Sequence, residues 1–110
     1  MQDKKGKKLR IFISETDKYQ GKVLYEWIVL QAKEHNLAGA TVTRAIEGFG
    51  TAHHIHTAKI LYLSMDMPLI VEIIDTAEKI DSFLPLIDDA VEKGIATIED
   101  VTIHFYRPDK

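Results

Sequence analysis

The chain predicts an α+β domain, a four-stranded antiparallel sheet with two helices packed on one face. Three observations carry the prediction. Two stretches show helical hydrophobic spacing, four others read as strands, and their order is β-α-β-β-α-β. With 110 residues, 45% hydrophobic and 28% charged, the sequence suits one folded domain.

Leu9-Arg10-Ile11-Phe12-Ile13 alternates apolar and polar, Phe12 being the one intruder on the second face, and predicts the first strand. Residues 21–36 predict a helix: Val23, Leu24, Trp27, Ile28 and Leu30 recur at three- and four-residue steps, and Gly39 follows as a stop signal. Residues 40–47 hold the β-branched run Thr41-Val42-Thr43 with Ile46 and predict a second strand, ended by Gly48-Phe49-Gly50. Leu69-Ile70-Val71-Glu72-Ile73-Ile74 is the clearest strand. Asp75 is expected to cap the next helix, with Glu78 reaching back to it. Ile80, Phe83, Leu84, Ile87 and Val91 then follow the core-facing period to Gly94, and Pro85 inside the pattern predicts a kink or early break. Residues 95–106 complete the set, with Val101, Ile103 and Phe105 on one face.

This order is that of the ferredoxin-like arrangement. Residues 1–8 read as a solvated basic tail and residues 9–107 as the domain, interrupted by a long loop over residues 51–68. Loops of that length in small domains usually serve a function or lack order. Leu69, Val71 and Ile73 point one way and Ile70 and Ile74 the other, so the third strand is apolar on both faces. The second face should be open, and an apolar open face marks an association surface, here of a homo-oligomer.

Composition excludes several classes. The net charge of −3 offers no electrostatic pull toward nucleic acid. The absence of cysteine removes disulfides, thiolate nucleophiles and Cys-ligated metals. Only Ile11-Phe12-Ile13 follows the basic start, too short for a secretory core, so the expected location is the cytoplasm. The strand of residues 69–74 has no stacking aromatic for RNA, and no Ser/His/Asp set or nucleophile elbow suggests an enzyme.

Gly48-Phe49-Gly50 before a His-bearing loop, Leu61-Tyr62-Leu63-Ser64-Met65-Asp66-Met67-Pro68 and the strand after it resemble a PII-like family of domains of unknown function, the family numbered 190. Gly21-Lys22-Val23-Leu24-Tyr25-Glu26-Trp27 is similar to its pattern as well, and the likeness spans residues 9–106. The resemblance implies a PII-like homotrimer related to nitrogen-regulatory PII signalling proteins, with small ligands in clefts between subunits. It also implies that a loop after the second strand reports the ligand to a partner, a membrane transporter being one candidate. The PII phosphate cradle between the second helix and last strand has only Glu92-Lys93-Gly94-Ile95 as its counterpart here.

On that basis Gly48, Phe49 and Gly50 are candidate ligand-binding residues, since two glycines can expose backbone N–H groups as an anion nest. Arg44 could neutralise a phosphate beside them. A strand end needing positive φ, and a solvated arginine, explain the same residues without a ligand. His53, His54 and His56 are candidate ligands for a divalent metal, three copies of one His on a threefold axis making a closed set. A merely polar loop, or one that responds to pH, explains the same residues without a metal. The expectation is a regulatory protein binding a small anionic ligand, with a nucleotide as one candidate, and reporting through residues 51–64. The alternative is a divalent-metal-binding trimer.

Overall fold

Leu9, Ile11 and Ile13 on one strand and Leu69, Val71 and Ile73 on another are all buried, and the molecule is arranged around these two rows. The structure is a computed structural model that describes residues 3–49, 56–57 and 66–109. The elements are β1 (Lys4–Ser14), β2 (Lys18–Tyr19), β3 (Lys22–Val23), α1 (Leu24–Glu34), β4 (Thr41–Arg44), β5 (Glu47–Gly48), β6 (His56–Thr57), β7 (Pro68–Thr76), α2 (Ala77–Ala90) and β8 (Ile95–Ile103). The main sheet runs β4-β7-β1-β8, antiparallel throughout.

Period-2 alternation sets the register. Leu9 pairs with Ile73 and Ile98, and Ile11 with Val71 and Ala96, all on the helix-covered face. Leu24, Ile28 and Ala32 of α1 and Ile80, Phe83, Ile87 and Ala90 of α2 close the core over Leu9, Ile11, Val71 and Ile73, while Ala96 and Ile98 on the edge strand stay exposed. The opposite face carries Phe12, Ile70, Ile74 and Ile95, with Phe12, Ile74 and Ile95 exposed. Within this face Arg10 Nε donates to Glu72 Oε2 at 2.9 Å, so the acidic residue in an apolar strand is paired across the sheet.

The expectations for sheet and helices hold, with six local differences. β1 begins at Lys4, inside the stretch expected to be a tail, because its basic residues pair along β8 from Lys4 opposite Ile103. A small hairpin, β2–β3, precedes α1, turning at Gln20 and Gly21, both at positive φ. Leu30 faces solvent rather than the core, whose stripe on α1 is Leu24, Ile28 and Ala32. Thr76, not Asp75, caps α2, its side chain accepting from Lys79 N. α2 runs through Pro85 without a break and ends at Ala90. Pro85 and Asp81, whose carbonyl loses its helical partner there, both lie on the exposed side where water can take that bond. The last strand stops at Ile103, leaving Phe105 and Tyr106 beyond it.

Candidate functional site

β7 and β8 end, and β1 and β4 begin, at the same edge of the molecule, beside the first turn of α2. A cleft of about 500 Å³ opens there, lined by the turn between α1 and β4, by Thr41, Glu72 and Ile74 on the sheet, and by Phe105 and Tyr106.

Its walls follow from local sequence. Asn36, at φ 58°, ends α1 in the left-handed conformation, and Leu37 N–H bonds back to the Ala32 carbonyl. Chain reversal then brings Ala38 over Asp75. The Asp75 carboxylate is buried and accepts from Ala38 N–H at 2.8 Å and Thr76 N–H at 2.6 Å. Lys79 Nζ donates to the Asn36 carbonyl at 3.1 Å, tying α2 to the same turn. Tyr106 Oη donates to the Ala38 carbonyl at 3.4 Å and draws the segment after β8 across the cleft.

Chemically the cleft joins two exposed lysines, Lys4 and Lys79, to two half-exposed aromatic rings. Its carboxylates are already engaged, Glu72 by Arg10 and Asp75 by backbone N–H groups. Cationic heads, apolar rings and satisfied carboxylates suit a flat, negatively charged small molecule.

The residues singled out from the sequence lie elsewhere or outside the described region. Arg44 closes β4 at the end opposite Thr41, about 10 Å along a four-residue strand. There its Nη2 pairs with Glu15 Oε2 at 3.0 Å, an atom that also accepts from Met67 N–H at 3.4 Å. Gly48 stands on β5, opposite His56 on β6. Phe49 is exposed. Gly50, His53 and His54 fall outside the described residues. Among the described residues no group of three or more His, Asp or Glu is placed to hold a metal ion.

The family described as Uncharacterized ACR, DUF190, matches residues 6–103. The chain belongs to the DUF190 family. A UPF0166 protein of Aquifex aeolicus is 44% identical over 99 residues, covering 90% of this chain and 93% of its own. Another UPF0166 protein, from Methanocaldococcus jannaschii, is 32% identical over 101 residues, with 91% and 93% covered. Among solved structures, CPII of Thiomonas intermedia K12, a nitrogen regulatory PII-like protein bound to ADP, AMP and bicarbonate, superposes with TM-score 0.62. Its identity is 17%, and 97% of this chain and 93% of that chain are covered. The same protein bound to ADP and bicarbonate gives TM-score 0.59 at 18% identity, with 97% and 94% covered.

The DUF190 chain therefore has the PII-like fold expected from its sequence. No described helix is long and apolar enough to cross a membrane. The cleft itself escaped the sequence reading because its walls come from four separate stretches, near residues 4, 36–41, 72–79 and 103–106. One signal was available: Phe105-Tyr106-Arg107, aromatic and basic together, follows directly on the last apolar strand.

Proposed function

We propose that this DUF190 protein is a PII-like regulatory protein that acts by binding rather than by catalysis. It takes a small anionic ligand, a nucleotide in the first instance, in the cleft at the end of the sheet. The observation that carries this reading is the lining itself, where Lys4, Lys79 and two exposed aromatic rings share a cleft of about 500 Å³. The fold match to CPII, whose structures hold ADP, AMP and bicarbonate, supports the same ligand class.

The working form is a cytoplasmic homotrimer. Phe12, Ile74 and Ile95 expose apolar surface on the open face, and among the described residues β4 and β8 are the outer strands of the main sheet. In that assembly the ligand would lie between copies, with Arg44 and Gly48-Phe49-Gly50 as the candidate contribution of a second copy. Ligand held between copies then reports through residues 51–64 to a partner, a membrane transporter being one candidate.

Thermal melting tests the reading. Adenine nucleotides or bicarbonate at about 100 times the dissociation constant should add about 2.7 kcal/mol, a rise on the order of 10 °C in a domain this size. Lys4→Glu with Lys79→Glu should abolish that rise. A full panel without any shift overturns the proposal.

A further inference from the structure

The segment after β8 carries a ring for which the core has no use. Phe105 is 51% exposed and lines the cleft. One side of the ring is occupied: the Arg107 guanidinium carbon stands 4.0 Å from its centroid, and the His104 ring lies 5.7 Å away, tilted by 55°. Tyr106, anchored by its hydroxyl to the Ala38 carbonyl, holds the neighbouring backbone against the α1–β4 turn. The ring is thus braced by Arg107, follows directly on β8 and stays half exposed at the cleft. We infer that Phe105, braced by Arg107, is a stacking platform that makes the cleft select flat aromatic anions over non-planar ones, an inference that rests on the small-anion reading above.

The two halves of the cleft divide the recognition. Lys4 and Lys79 attract any anion of suitable size, and they carry no information about ring shape. Phe105 adds an interaction open only to a planar partner, since stacking requires a π-face on both sides. Removing the platform should therefore change which ligand is preferred and leave the attraction for charge in place. Stacking of a base on an aromatic side chain corresponds to about 5- to 150-fold in affinity.

Titration calorimetry with two probes, ADP and inorganic pyrophosphate, tests this on the full chain, the Phe105→Leu variant and the Phe105→Trp variant. The Leu variant should lose about tenfold or more in ADP affinity and stay within about twofold for pyrophosphate. The Trp variant should keep ADP affinity, and its added indole should be quenched by ADP and not by pyrophosphate. Phe105 lies on no strand and outside the core, so both variants should melt as the parent does. Equal losses for both probes, or unchanged ADP affinity in the Leu variant, overturn the inference. A parent chain that takes pyrophosphate and not ADP also overturns it, leaving the small-anion reading intact; one that takes neither probe brings down that reading and the platform together.

Discussion

Asp75 shows how one side chain can set both stability and site geometry. The residue is 6% exposed, and its two carboxylate oxygens accept from the N–H groups of Ala38 and Thr76. Replacement by Ala would leave two half-buried N–H groups at the wall of the cleft without their acceptor, at about 1–3 kcal/mol each. Asp75→Ala is expected to lower the unfolding free energy by about 2–4 kcal/mol in urea titrations. Asp75→Asn, with one acceptor left, should lose less. Because Ala38 also receives the Tyr106 hydroxyl, the Ala variant should weaken ADP binding beyond its effect on folding. Local sequence could not show this role. Asp followed by Thr-Ala-Glu reads as a helix cap, and in isolation either Asp75 or Thr76 could serve. Strand alternation decides between them, placing Asp75 on the helix-covered face of β7 behind Ile73 and leaving the cap to Thr76.

Elements were readable in proportion to how strongly their periodicity was enforced by burial. β1, β7 and α2 each bury a full row of apolar side chains, and the sequence alternates or repeats accordingly. The β2–β3 hairpin buries no comparable row and turns on Gln20-Gly21, a weaker signal than Asn-Gly. Tertiary contacts hold it instead: the Tyr19 ring packs 4.6 Å from Trp27, and its hydroxyl donates to Asp89 Oδ2 at 2.9 Å. That bond to a carboxylate raises the Tyr19 pKa above its ordinary 10.0. The sign follows from the proton. A group whose pKa is raised on folding contributes stability in full below pH 10, and the contribution is lost as pH climbs through the raised value. The tie between hairpin and α2 should therefore persist through neutral pH and fail only in strong alkali. In a tyrosinate absorbance titration, Tyr19 should ionise above its ordinary 10.0, and Asp89→Asn should bring it back toward that value.

For the whole molecule, the apolar open face is the feature that both sequence and structure single out. The double-sided β7 was visible in the run Leu69–Ile74, whereas the cleft was not, because no window of sequence contains it. In the homotrimer proposed above, this face would be buried between copies and the particle would have three times the 12.5 kDa chain mass. Phe12→Glu puts a charge into that face while sparing the helix-covered core. Light scattering should then find the single-chain mass with unchanged circular dichroism; a variant that keeps the parent mass would remove the open face as the association surface.

Glu15 joins the two ends of the long insertion. Its carboxylate takes Arg44 from the outgoing chain and Met67 N–H from the returning one, while Ala45 N–H bonds to the Pro68 carbonyl. The domain is therefore closed on itself at the root of whatever lies between residues 45 and 67. Since each doubling of a flexible loop adds only about 0.6 kcal/mol of closure entropy, the length and content of that insertion can drift almost independently of the scaffold. Changes in the length of that insertion would then leave the pairing of β4 with β7 in place, so the ferredoxin-like body tolerates them as a frame tolerates a different panel.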